Sequence, residues 1–68
     1  MQELMDQIGE SAGEIYNYLS SNGATTFSKM KKDLDLKGNF ADLGLGWLAR
    51  EDKVSISKKG TSVSVSLK

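Results

Sequence analysis

Histidine and cysteine are both absent from the 68-residue chain. That removes the usual transition-metal ligands, the thiol nucleophile and any serine-histidine-acid triad. Carboxylates are then the main candidates for proton transfer. Glu10 and Glu14 stand one helical turn apart, a spacing that can pair two acids for general acid-base work. They lie off the apolar stripe of their segment, so solvation is their expected fate. Glu51 and Asp52 are adjacent and point in different directions on a helix. The scattered acids lack the ligand spacing of a calcium loop. The nine serines have no neighbouring base to activate them. Gly44 and Gly46 support close approach by a neighbouring backbone, but Gly44-Leu45-Gly46 fails as a phosphate loop, because it falls inside a helical pattern and no Lys-Ser or Lys-Thr follows it. No catalytic residue, metal, cofactor or small-molecule substrate is expected, and the chain reads as non-enzymatic.

The chemistry that remains is electrostatic and apolar. Net charge is zero, but residues 1–23 carry Glu3, Asp6, Glu10 and Glu14 with no Lys or Arg, a net −4. Residues 24–68 hold all nine basic residues and five acidic ones, a net +4. A polyanion would meet this second part; the plain alternative is the uneven charge of a small soluble domain. Lys29, Lys31, Lys32, Lys37, Lys58 and Lys59 are candidates for phosphate contacts, and Asn39 and Arg50 for a base or a phosphate. A solvated face accounts equally well for the lysines.

Elements that must position these residues follow from periodicity. Over residues 2–20, Leu4, Ile8, Ala12, Ile15, Tyr16 and Leu19 recur at helical spacing, with Met5 at the edge of the stripe. Gly9 and Gly13 lie on one side of that helix, where another backbone is able to come close, and Asn22-Gly23 supplies a stop. A second helix is predicted over 26–35, capped by Thr25 or Thr26, with Phe27, Met30 and Leu34 inward. Lys37-Gly38 makes a turn and Asn39 is the N-cap of a third helix over 40–52, with Asp42 suiting its positive end and Asp52 ending it, where a short polar side chain tolerates strained backbone. Residues 54–58 and 61–67 alternate apolar and polar, so they are strands whose buried face is Val54, Ile56, Val63, Val65 and Leu67, joined by a tight turn at Lys59-Gly60. Residues 24–26 can add a short third strand.

Size sets the frame around these elements. Hydrophobic residues make up 38% of 68, enough for one small core, so a single domain spanning 1–68 is expected. Stability rests on packing without disulfides, which permits a reducing compartment. No apolar run approaches the about 20 residues of a membrane span. The first residues include Glu3 and Asp6 and no basic apolar segment, so they are not patterned as a signal peptide, and a cytoplasmic location is expected.

Three helices followed by a β-hairpin is the order of an α+β winged helix-turn-helix domain, with the hairpin as the wing. The segment LGLGWLAREDKVSI, residues 43–56, resembles a family of small bacterial winged helix-turn-helix domains of unknown function; GWLAREDKV, where the third helix runs into the first wing strand, is its specific part. The resemblance extends over nearly the whole chain. It implies the winged-helix fold, a link to nucleic-acid-binding domains, no catalytic residue and no established ligand, and for some members homodimers.

In a DNA-reading domain the third helix would enter the major groove. At about 100° per residue, Ala41, Gly44, Leu45 and Leu48 share the core face, Phe40, Leu43 and Trp47 a neighbouring face, and Asp42, Gly46, Ala49 and Arg50 the outer side. That outer side is poor in donors for base edges, so any binding to double-stranded DNA is expected to be weak, salt-sensitive and nearly sequence-blind. The Phe40, Leu43 and Trp47 ridge has two readings: ordinary core under the first helix or hairpin, or a partly exposed interface for another protein or a second copy. Residues 61–67, flat and β-prone, are expected at a sheet edge, a second route to a homodimer. Two functions follow: a nucleic-acid-binding, regulator-like module, or a protein-interaction module that has lost base readout.

Overall fold

The computed structural model describes residues 2–36 and 39–68. Helix α1 runs Gln2–Asn22, strand β1 Thr25–Thr26, helix α2 Phe27–Leu34, helix α3 Phe40–Arg50, and strands β2 and β3 Val54–Lys59 and Ser62–Leu67. Each boundary has a local cause. Gly23, at φ +78, takes the left-handed conformation after α1, and its N–H donates to the Leu19 carbonyl at 2.9 Å. Thr26 caps α2: its hydroxyl oxygen accepts from the Lys29 N–H at 3.3 Å. Asn39 stands at the N-cap of α3 but makes no side-chain cap, contrary to expectation; its carbonyl accepts from the Leu43 N–H at 2.9 Å. The predicted Lys37-Gly38 turn lies outside the described residues.

Helix α3 stops two residues earlier than its pattern predicts. Asp52 adopts φ +61, its N–H donates to the Ala49 carbonyl and the Lys53 N–H to the Leu48 carbonyl, both at 3.0 Å. These two bonds form a Schellman motif with Asp52 in the position that glycine usually takes. The chain is thereby turned directly into β2. The hairpin loop is Gly60-Thr61, one residue later than read from the sequence, since Lys59 pairs with Ser62. Gly60 has φ +62 and Thr61 a negative φ, the pattern of a type II′ turn.

The sheet order is β1-β3-β2, all antiparallel. Thr25 pairs with Val65 and Thr26 with Ser64. This small strand covers one side of β3, so the expected edge position of residues 61–67 is wrong: β3 is central, and β2 carries the long free edge.

The core joins Ala12, Ile15 and Leu19 of α1, Met30 of α2, Leu45 and Leu48 of α3, and Val54 and Val65 of the sheet. Ile15, Met30 and Val65 are fully enclosed, and each such side chain contributes about 1.5–3 kcal/mol by leaving water. Tyr18, Phe27, Leu34, Val63 and Leu67 close the margins half-buried. Three residues assigned to the apolar stripes do not enter: Leu4 is 46% exposed, Tyr16 42% and Ile56 45%. Burial along α1 runs from Ser11 to Leu19, so Leu4 lies ahead of it, while Tyr16 stands to one side of the buried line, beside Gly13 and Trp47. Ser11, by contrast, is buried. It lies where α3 comes closest to α1, at Gly44: a Cβ there would sit 3.0 Å from the Ala12 nitrogen and 3.1 Å from the Ser11 carbonyl carbon. The close approach read for Gly9 and Gly13 does not occur; nothing lies within 4 Å of a Cβ built on either.

Candidate interaction surfaces

The basic residues proposed for phosphate contact are distributed over three elements. Lys29 is engaged within the domain. Its ammonium donates to Asp33 Oδ2 at 2.9 Å, one turn along α2, and the Tyr18 hydroxyl of α1 donates to the same oxygen at 2.6 Å. The Tyr18 hydroxyl, and then the Lys29 ammonium, hold the Asp33 carboxyl below the usual carboxylate range; Asp33 in turn raises the Tyr18 phenol and the Lys29 ammonium above theirs. This cluster ties the end of α1 to α2. Lys31 and Lys32 are exposed in the last turn of α2, and Lys58 and Lys59 are exposed beside the hairpin tip. Asn39 is exposed at the head of α3. Lys37 lies outside the described residues.

Arg50 is exposed on the side of α3 away from the core, between the Gly46 and Trp47 directions of the helix. It lines a depression of about 360 Å³ with Met5, Trp47 and Glu51, on the side of α3 facing the start of α1. The outer side proper, toward the wing, presents Asp42 and Gly46. Together with Phe27, Leu45, Ile56 and Val63 they form a shallow, hydrocarbon-lined hollow of about 320 Å³. Where a DNA-reading helix would offer amides and guanidinium groups, this one offers a carboxylate and apolar side chains.

The Phe40, Leu43 and Trp47 ridge is divided. Phe40 is half-buried and faces Leu34, Leu36, Glu10 and Glu14 across a separate hollow. Leu43 is 43% exposed and Trp47 41%. Trp47 stands between two depressions. One is the Arg50 hollow; the other, of about 320 Å³, is lined on α1 by Gly9, Gly13, Tyr16 and Asn17, and on the far side by Leu48 and Lys53. The ridge reading missed the opposite wall, which comes from α1. Its signal was present in the sequence: Met5, Gly9, Gly13 and Tyr16 fall at spacings of four, four and three, one side of a helix with the middle left bare.

Among the described residues no group of three or more acidic, histidine or cysteine side chains is arranged to hold a metal ion. Among the same residues no helix is long and apolar enough to cross a membrane.

Residues 1–67 match the model of a family described as "Winged helix-turn-helix domain (DUF2582)". The chain is also similar to an uncharacterized protein of Methanocaldococcus jannaschii, with 37% identity over 71 aligned positions that cover 100% of both chains.

Proposed function

The chain belongs to the DUF2582 family of winged helix-turn-helix domains, and from that premise we propose that it is a non-enzymatic module that binds a partner protein between α1 and α3. One observation carries the proposal: the single tryptophan, Trp47, is 41% exposed beside bare helix backbone at Gly9 and Gly13. Tryptophan is enriched among interface anchors, and so small a domain rarely leaves Met5, Tyr16 and Trp47 uncovered without use. The two glycines let a second helix approach closely. The occupant fitted best is an amphipathic helix with a basic flank. Lys53 lines the groove and Glu10 and Glu14 stand on the far flank of α1, but over its whole length α1 carries Glu3, Asp6, Glu10 and Glu14 and no Lys or Arg. A second copy presenting its own α1 would bring like charges together. The 68 residues act as one winged-helix unit, in the cytoplasm, where a cysteine-free chain loses nothing to a reducing environment.

A second reading has its own support. Lys31 and Lys32 on α2 and Lys58 and Lys59 at the wing tip are exposed, enough for sequence-blind phosphate contact with double-stranded DNA. Because Trp47 is the only tryptophan, its emission reports on the groove in both cases. The chain is titrated separately with a cationic amphipathic Leu/Lys helix, its Leu/Glu counterpart, and generic duplex DNA at about 50 mM salt. The cationic helix is expected to shift Trp47 emission to the blue, Gly13→Leu to abolish the shift by filling the groove, and the acidic helix to do nothing. Tight, salt-sensitive DNA binding that Lys31→Glu/Lys32→Glu removes, with no response to the cationic helix, would replace the first reading by the second.

A further inference from the structure

We infer that the hollow between α1, the end of α2 and the head of α3 binds a linear aliphatic diamine or polyamine, independently of the Trp47 groove on the other flank of α1. The hollow has a volume of about 330 Å³. One wall is α1, where Glu10 and Glu14 stand one turn apart with Ser11 beside them. The other is Leu34, Asp35 and Leu36 at the end of α2, with Phe40 at the head of α3. Its charge has one sign: three carboxylates line it and, among the described residues, no ammonium or guanidinium does. Glu10 and Glu14 repel each other at this spacing, and a cation between them removes that cost.

Ser11 separates the hollow from a merely solvated acidic face. It is 7% exposed and is the one buried polar residue among those described, yet among the same residues its hydroxyl has no hydrogen-bond partner. No buried side-chain oxygen there is both closed to solvent and unpaired, so the Ser11 oxygen stays open, and the hollow is the opening that Ser11 lines. A buried hydroxyl without a partner is costly and uncommon; this one is placed to accept from a ligand N–H. The three carboxylates do not converge to hold one metal ion. Acids on opposite walls suit a cation whose charges are spread along a chain. A primary ammonium offers three donors. One end of the ligand meets Glu10, Glu14 and the Ser11 oxygen, and the other meets Asp35. The methylenes between them lie along Leu34, Leu36 and half-buried Phe40, as a lysine stem lies along apolar surface.

Titration of the whole chain with diaminobutane and with spermidine, followed by calorimetry and amide NMR at about 50 mM salt, tests the inference. Saturable binding is expected, with amide shifts centred on Ser11, Asp35 and Phe40, tighter for spermidine and weakening as salt rises. Butylamine and Mg²⁺ are expected to bind about tenfold more weakly or worse. Glu10→Gln/Glu14→Gln, both at exposed positions, should weaken the diamine about tenfold with unchanged far-UV circular dichroism. Ser11→Ala gives the sharpest signature. It breaks no hydrogen bond among the described residues and suits a helix better than serine, so it should raise Tm while weakening the diamine about two- to tenfold. Gly13→Leu, which fills the Trp47 groove, should leave diamine binding unchanged, so the two sites succeed or fail separately. No saturable binding below about 10 mM diamine overturns the inference, as does equal binding of Mg²⁺ or full affinity in Glu10→Gln/Glu14→Gln. Shifts spread evenly over Glu3, Asp6, Glu10 and Glu14 overturn it too, since they report only the overall charge of α1.

Discussion

Two glycine-to-alanine substitutions on one helix test how α3 is held. Both Gly44 and Gly46 lie within α3, so alanine at either gains about 1 kcal/mol of helix propensity. At Gly46 nothing lies within 4 Å of the new methyl group, and the whole gain should appear as stability, raising Tm by about 4–8 °C for a domain of this size. At Gly44 the methyl carbon lands 3.0 Å from the Ala12 nitrogen, 3.1 Å from the Ser11 carbonyl carbon and 3.1 Å from Ile15 Cδ1. The first two atoms are α1 backbone and yield only if the helix moves. Ile15 is fully enclosed, so its Cδ1 can move only against other packed side chains. Overpacking of this kind costs about 1–3 kcal/mol. Less the propensity gain, Gly44→Ala should lose up to about 2 kcal/mol. The two variants are then separated by the overpacking cost itself, about 1–3 kcal/mol, which guanidinium melts and calorimetry resolve. Because Trp47 rides on α3 one turn from Gly44, the displaced helix should also alter its emission. Equal stabilisation by both substitutions would refute the reasoning, and with it the close α1–α3 contact that shapes the groove.

Trp47→Ala is expected to cost about 1–2 kcal/mol, well below the 3–5 kcal/mol of an enclosed tryptophan, because 41% of the residue is already in water; a loss of the larger size in a thermal melt would mean that the indole is core. Asp35 holds φ 51 at the end of α2, a conformation costly for residues with a Cβ, so Asp35→Gly should stabilise by about 0.5–1 kcal/mol in the same melts. The Asp33 cluster fixes two pH windows. Its carboxyl titrates below the ordinary value, so its contribution is full above the unfolded carboxylate pKa and is lost as pH falls through the lowered folded one; Asp33→Asn should flatten that acid limb of the stability curve. The Tyr18 and Lys29 groups titrate above their ordinary values. Their contributions are full below the unfolded pKa values and vanish as pH rises through the folded ones, so Tyr18→Phe should flatten part of the alkaline limb in denaturant melts run from pH 8 to 12.

Patterning along the chain settled the elements. Period 3.6 marked the three helices and period 2 the hairpin, because one face of each must leave water whatever it packs against. The four core positions of α3 were legible for the same reason: Ala41, Gly44, Leu45 and Leu48 are all buried. So were the stops at Asn22-Gly23 and Asp52, where local backbone geometry decides without help from distant residues. Tertiary packing decided the rest. A helical stripe says which side is apolar but neither how far along it nor how widely around it a partner reaches, so Leu4, ahead of the buried stretch, and Tyr16, beside it, both lie in water. Alternation along a strand does not say which neighbour lies beyond it, so the free edge was assigned to β3 when a two-residue strand covers it. Glycine spacing marks two pairs where a backbone can come close but not which of them is used: Gly44 meets α1, while Gly46 is open and Gly9 and Gly13 stay bare beside Trp47. The surfaces available for partners depend on where one element ends against another, and that relation exists only once the chain has packed.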